Sequence, residues 1–418
     1  MITVRRHVAP AAAALVLLLA ACSGDEEAVP ETTARATTTT IEPPPVGDGR
    51  LVVGILLPTT ETLIGEPTVA GAETAIERIN DAGGVLGNPI RTVVADEGST
   101  SASASEAIQS LLSRGVDAII GPASSLIALS TLDEIVSSGT IACSPTASAL
   151  ALDDYPDDDL FFRTIPSDSL QAKAIADLAA QTGTQQVTIV YADDAYGQSL
   201  AKSVEEALEG RPIDVVDVIP FSARDEELGD LALRVTQSGA AVTIVLADSN
   251  DGTRFLESLG QFDTSGLDAV IVNDAIRNPS AAQRIEALEP DIRNMVIGVA
   301  PQAESGVEDE PFDPPGAFAA NGFDCVNLIA LATAKAESDA PRDIATQMTS
   351  VSTGGSECRD FAACIQGLEA GLQIDYNGPS GVTELLARSG DPARAVFDLF
   401  GFDETGRDQL LGPFTVSY

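Results

Sequence analysis

The chain has no tryptophan, and its one histidine is His7, close to the start. A body without histidine has no Ser–His–Asp triad, no histidine–zinc centre and no imidazole to move a proton near neutral pH. Basic charge is scarce as well: 23 Lys and Arg stand against 63 Asp and Glu, a formal charge of −40. The lysines are Lys173, Lys202 and Lys335 alone. Such a balance excludes nucleic acid and anionic lipid as electrostatic partners. The apolar stretch Ala11 to Ala20 is too short to span a bilayer. What the 418 residues do contain is 44% apolar side chains, enough core for two or three domains.

The first 50 residues read as export and anchoring. Arg5 and Arg6 precede the apolar run, which ends Leu19-Ala20-Ala21-Cys22. Small residues before a cysteine resemble the lipobox of bacterial lipoproteins. That resemblance implies removal of residues 1–21 as a signal peptide and lipid attachment at Cys22. More than one acyl chain is needed for stable anchoring. The expected location is the outer face of the bacterial cell membrane. Residues 22–50 are low-complexity, with Thr37 to Thr40 and Pro43-Pro44-Pro45. They lack the apolar content for a core and read as a tether reaching at most ~80 Å.

The stretch from Ala118 to Ser148 organises the rest. Ala118 to Ile120 reads as a buried strand stopped by Gly121-Pro122. Ser124 and Ser125 precede a helical pattern, Leu126 to Val136, whose N-terminus offers free N–H groups to an anion. A second short strand, Ile141 to Cys143, leads to Ser144-Pro145, then Thr146 and Ser148. Two neighbouring strand ends followed by small hydroxyl residues make a pocket for a carboxylate in an open α/β sheet.

From Leu51 onward, strand and helix alternate. Leu51 to Leu57 and Ile90 to Val94 read as strands, with Thr68 to Asn80 and Ser101 to Ser113 as helices. The rhythm restarts at Phe161 to Pro166 and repeats through strands at Val187 to Tyr191, Val215 to Ile219, Val242 to Leu246, Ala269 to Val272 and Val296 to Val299. A long alanine-rich helix is expected at Ala317 to Ala336, and closing strands at Val396 to Phe402 and Phe414 to Tyr418. Alternation at this spacing predicts an α/β fold with two parallel sheets.

Several motifs then occur in a fixed order: LLPTT from Leu56, INDAGGVLGNPI from Ile79, IIGPASS, CSPTAS, FFRTIPSD from Phe161, YADDAYGQSLA from Tyr191 and IDYNGPSG from Ile374. Together they resemble the leucine/isoleucine/valine-binding group of type I periplasmic binding proteins. The resemblance implies two Rossmann-like lobes joined by a three-strand hinge, closing over a ligand. Lobe one would be residues 51–164 plus 301–377, and lobe two 165–300 plus 378–418. The crossings would lie near Thr164, Ala300 and Asn377.

Carried residue by residue, the resemblance makes Ser125 and Ser148 donors to a ligand carboxylate and uses Thr146 through its backbone. Asp274 matches the acid that holds the ligand ammonium. Tyr196 and Phe323 match wall positions. Ile64 and Asp248-Ser249 stand where relatives carry tyrosines, which removes aromatic lining and argues against a branched aliphatic ligand. The implied function is a non-enzymatic receptor for an amino acid or related amide, monomeric, delivering to an ABC permease and ATPase. No cofactor or metal is implied. A sensing receptor of the same fold and a carboxylate-based hydrolase are the alternatives.

Cys358 and Cys364 are expected to form a disulfide. Cys143 and Cys325 could pair or stay buried thiols, and the thiol state is the slight preference. The acidic run Leu152 to Leu160 lacks the glycine turn of a calcium loop and reads as solvated.

Overall fold

The computed structural model describes residues 47–61, 63–222, 228–302, 306–307, 310–381 and 383–418. The signal segment, Cys22 and the tether up to residue 46 lie outside the described residues. The tether's last residues do not trail freely: the backbone N–H groups of Asp48, Gly49 and Arg50 all donate to the Asp339 carboxylate, at 3.1, 3.0 and 2.7 Å.

Five strands form the first sheet: β1 (Val52–Leu57), β2 (Arg91–Asp96), β3 (Ala118–Ile120), β4 (Ile141–Ser144) and β5 (Phe161–Arg163). They are all parallel, in the order β2-β1-β3-β4-β5. Between them run α1 (Gly65–Asp81), α2 (Ser101–Leu112) and α3 (Ser125–Ser137). Successive residues of a strand face opposite sides, so a sheet covered on both faces needs continuous apolar strands. β1 obeys this: Val53, Ile55 and Leu57 pack towards α1, while Val52 and Leu56 pack towards α2 and α3.

The second sheet holds β6 (Gln186–Ala192), β7 (Asp214–Phe221), β8 (Val242–Leu246), β9 (Ala269–Val272) and β10 (Val296–Pro301), all parallel. Its helices are α4 (Asp168–Gln181), α5 (Ala195–Leu208), α6 (Leu228–Gln237), α7 (Ser249–Leu259), α8 (Ala282–Glu286) and α9 (Pro290–Met295). Beyond β10 come two short strands, β11 (Gly306–Val307) and β12 (Glu310–Pro311). They are followed by α10 (Ala319–Ala336), α11 (Pro341–Val351), β13 (Ser356–Cys358), α12 (Phe361–Glu369) and β14 (Ile374–Tyr376). The closing strands β15 (Arg394–Phe402) and β16 (Asp408–Ser417) join the second sheet antiparallel, at its β10 edge.

Every residue of α10 from Ala319 to Thr333 is buried, as befits a helix apolar around most of its circumference. It packs with the first sheet's core, which also includes Tyr376 and Leu385. After the crossing expected near Asn377, the chain therefore stays with the first half. Leu385 donates its N–H to Ser352 Oγ, and Gly390 accepts from the Arg163 N–H, before Arg394 enters the second sheet.

Both pairs of cysteines are disulfides. Cys358–Cys364 spans six residues, and Cys143–Cys325 spans 182. The preference for free thiols at Cys143 and Cys325 is corrected: β4 and α10 lie side by side in one core, which the two distant sequence positions did not reveal.

Candidate functional site

The first half of the site begins at Gly121, whose φ of +119° places it where a side chain is disfavoured. A Cβ there would also collide with the Leu56 carbonyl. The turn leads to α3. Ser124 occupies the N-cap but its hydroxyl makes no capping bond. Just ahead of the helix, the carboxylate of Glu97, 1% exposed, accepts the N–H groups of Ala123 at 2.6 Å and Ser124 at 3.1 Å. Burial, opposed by these two bonds, lifts Glu97 to about 7. Two amides of the turn that leads into α3 are thus already engaged.

The next turn, after β4, is held by its own hydroxyls. Ser144 Oγ donates to the Pro122 carbonyl at 2.6 Å and accepts the Ala147 N–H at 3.0 Å. Thr146 Oγ1 donates to the Ala123 carbonyl at 2.7 Å. Ser125 Oγ accepts the Ala149 N–H at 3.3 Å, so the two turns are tied together. Behind them stands Arg163, fully buried at the end of β5. It donates to Asp391 and Asp153, each at 2.6 Å, and to the carbonyls of Ala147 and Ala149 at 3.3 and 3.2 Å. Burial works against its charge, but the two carboxylates outweigh that and raise its pKa. Asp153 belongs to the acidic run read as solvated. Its place under Arg163, Ser167 and Ser169 corrects that reading for one residue, while Asp154, Asp158 and Asp159 are exposed.

The second half presents acids. Asp274 follows β9 directly, and Asn273 beside it is fully buried. Asn273 Oδ1 accepts the Ala247 N–H at 3.2 Å and its Nδ2 donates to the Tyr196 hydroxyl at 3.3 Å. Asp168, the first residue of α4, is 4% exposed and hydrogen-bonded by the Ser148 hydroxyl. Its own N–H donates to the Ser148 carbonyl at 2.9 Å. Burial and the neighbouring Asp274 raise Asp168 to about 7, against the Ser148 bond and the charge of Arg163. Burial also raises Asp274, opposed by bonds from Gln171 and the Ala275 N–H. Burial and then these two acids push the Tyr196 hydroxyl well above its ordinary range.

The two halves meet at a cavity of about 40 Å³ lined by Thr146, Ser148, Asp168, Gln171, Asp274 and Phe318, among others. A larger cavity of about 740 Å³ shares Asp274, Pro301 and Phe318 with it and extends past Arg277, Asn278, Asp398 and Phe402. Arg277 is braced there by Asp398 and Asp408, both at 2.8 Å, and lies over the Phe400 ring.

The structure therefore brings Thr146, Ser148 and Asp274 to one cavity, with Tyr196 close enough to feel both acids. Ser125 stands one hydrogen bond behind, through Ala149. Ile64 caps α1 with its N–H on Glu61 and is 39% exposed, lining neither cavity. Phe323 does not serve as a wall. It is 1% exposed, on the buried run of α10 against Phe312, and Phe318, five residues earlier, faces the cavities instead. Sequence reasoning missed Asp168 and Gln171 as lining residues, although Asp168 ends the FFRTIPSD motif; helical spacing from it would have pointed to Gln171.

Among the described residues, no group of three or more His, Cys, Asp or Glu could hold a metal ion, and no helix is long and apolar enough to cross a membrane. A sequence profile of periplasmic binding proteins matches residues 51–357. The Leu/Ile/Val-binding protein BraC3 of Rhizobium johnstonii is 25% identical over 271 residues, 58% of this chain and 73% of that protein. The chemotactic signal transduction system substrate-binding protein BasB of Halobacterium salinarum is 26% identical over 342 residues, 75% of this chain and 77% of BasB. The branched-chain amino acid transporter substrate-binding protein LivJ of Streptococcus pneumoniae, in complex with isoleucine, superposes with a TM-score of 0.65. That match has 18% identity and covers 88% of this chain and 100% of LivJ.

Proposed function

Because the chain belongs to the periplasmic binding protein family, we propose that it is the extracytoplasmic solute receptor of an ABC importer, closing two lobes over a small zwitterion and presenting it to a membrane permease. The observation that carries this reading is the meeting of Thr146, Ser148 and Asp274 around one cavity. In the first half the Thr146 backbone and the Ser148 hydroxyl, which turns from Asp168 as the ligand enters, donate to a carboxylate, and the acid of the other half accepts from an ammonium. Both are charge-assisted hydrogen bonds, shorter and stronger than neutral ones. Micromolar affinity needs about −8 kcal/mol, which one desolvated ion pair and a few such bonds supply after closure.

In this reading the first sheet with α10 to β14 and the chain up to about residue 393 moves as one lobe, and the second sheet with its helices, β15 and β16 as the other, hinged where the chain crosses. The protein is a monomer held to the membrane by lipid on Cys22. It binds without turnover. The larger cavity carries Arg277, Asn278 and Asp398 beside Phe318 and Phe402, a lining that suits a polar side chain or amide better than a branched aliphatic one. The likeness to BasB supports a second reading, a receptor that reports its ligand to a signalling partner. Deleting the gene would separate the two: loss of uptake marks the importer, and loss of taxis with uptake intact marks the sensor.

Thermal unfolding across the twenty L-amino acids, their amides and a set of aromatic acids tests the proposal. A ligand bound only by the folded chain raises the melting point. At least one amino acid or amide is expected to do so. A shift from aromatic acids alone, or from nothing in the panel, would contradict it.

A further inference from the structure

Three acceptors converge on the smaller cavity from two elements. Asp168 and Gln171 lie three residues apart on α4 and so share one helix face. Asp274 faces them from the end of β9. Gln171 is 3% exposed, its Nε2 serves Asp274 and the Val299 carbonyl, the latter at 3.5 Å, and its Oε1 has no hydrogen-bond partner. A buried acceptor without a donor costs about 1–3 kcal/mol, and such a group in a native site calls for an explanation. Among the described residues, no lysine or arginine lines this cavity. The nearby cation, Arg163, is engaged by Asp153 and Asp391. The other polar groups around the acids are Ser148, Thr146 and the Tyr196 hydroxyl, already bonded by Asn273.

We infer that Asp168, Gln171 and Asp274 together form a seat for one primary ammonium group, each accepting one of its three N–H bonds. The cavity of about 40 Å³ holds a head group of a few atoms, and the rest of the solute extends into the larger cavity beyond Asp274. Calcium takes six to eight oxygens, more than these three side chains offer. When the seat is empty, burial and the Asp274 charge raise Asp168 to about 7, so near neutral pH it holds a proton for part of the time. An arriving ammonium displaces that proton. The inference rests on the receptor reading for the identity of the solute, but the seat itself can be probed without knowing the solute.

Methylammonium chloride is a minimal probe, and tetramethylammonium chloride, with no N–H, is its control at matched ionic strength. Melting of the full chain at pH 8 is expected to rise more with methylammonium than with tetramethylammonium. Asp168→Asn and Gln171→Leu, which preserve volume, are each expected to abolish the difference, whereas Gln171→Glu, which keeps an acceptor, retains it. Equal shifts from the two salts, or a difference that survives in both Asp168→Asn and Gln171→Leu, would overturn the seat. So would a larger shift with calcium chloride, which would mark a metal site. If the amino-acid panel is silent but the methylammonium difference is present, the receptor reading fails and the seat stands. If a panel amino acid binds wild type, Asp168→Asn and Gln171→Leu alike but not Asp274→Asn, the receptor reading stands and the seat is overturned.

Discussion

At the end of β4 the chain places Thr146 and Ser148 beside the cleft; at the end of β9 it places Asp274 there. Both positions lie just past the C-terminal end of a parallel strand, where open α/β sheets bind ligands. Their acids are used differently. In the first half Glu97 turns inward and is consumed by the Ala123 and Ser124 amides. In the second half Asp168 and Asp274 line one cavity, with no lysine or arginine beside them among the described lining residues. Burial lifts both Glu97 and Asp168 to about 7, yet only Asp168 has a vacancy for an outside donor. One half is internally satisfied and presents hydroxyls, and the other is left in want of positive charge.

Removing Arg163 strikes the satisfied half hardest. Arg163→Met strands Asp153 and Asp391 and frees the Ala147–Ala149 carbonyls. It should lower unfolding stability by about 3–5 kcal/mol, the cost of breaking a buried pair, in a urea titration. Asp274→Asn strikes the other half. Stability should hold, while amino-acid affinity measured by calorimetry falls by about 2–5 kcal/mol, roughly thirtyfold or more.

The two halves also separate by pH. A carboxyl raised on folding contributes stability that is present below the ordinary carboxylate range and lost as pH rises through about 7. The unliganded chain should therefore melt higher at pH 5 than at pH 8. Glu97→Gln and Asp168→Asn should each flatten that slope. A bound amino acid should remove the Asp168 share and leave the Glu97 share, because only Asp168 faces the cavity. A slope untouched by Asp168→Asn would break the comparison.

Smaller effects sharpen it. Ser148→Ala removes the hydroxyl that bonds Asp168 in the empty site and the carboxylate in the filled one, and should weaken binding by about 1 kcal/mol, roughly fivefold. Phe323→Leu should leave affinity unchanged and lower stability by about 1 kcal/mol, as a core substitution of similar shape does. A loss of affinity there would restore Phe323 as a wall.

Much of the scaffold was legible because its signals are local. Continuous apolar runs marked β1, β3 and β9, which the sequence reading placed within a residue. The α3 and α10 helices were found through apolar spacing and alanine content. What was not legible depends on long-range contact. Cys143 meets Cys325, and Asp153 leaves its acidic loop for Arg163, only because the sheet brings them together. Glu97 reaches the turn ahead of α3 from 26 residues away and holds the Ala123 amide, a contact that local sequence preferences cannot express. Phe323 and Phe318 are both plausible walls by type, but the first lies inside the buried run of α10 and the second just before that helix begins. The hydroxyls and Asp274 stood at strand ends and were found there, whereas Asp168 and Gln171 open a helix and read as ordinary first-turn residues.

Calorimetric titration of the wild type with each panel amino acid, and with the carboxylic acid that lacks its amino group, tests the central claim most directly. Heat from an amino acid and none from its des-amino counterpart is the predicted result. Equal affinity for the two would mean that the acidic half does not hold an ammonium, and would contradict the account.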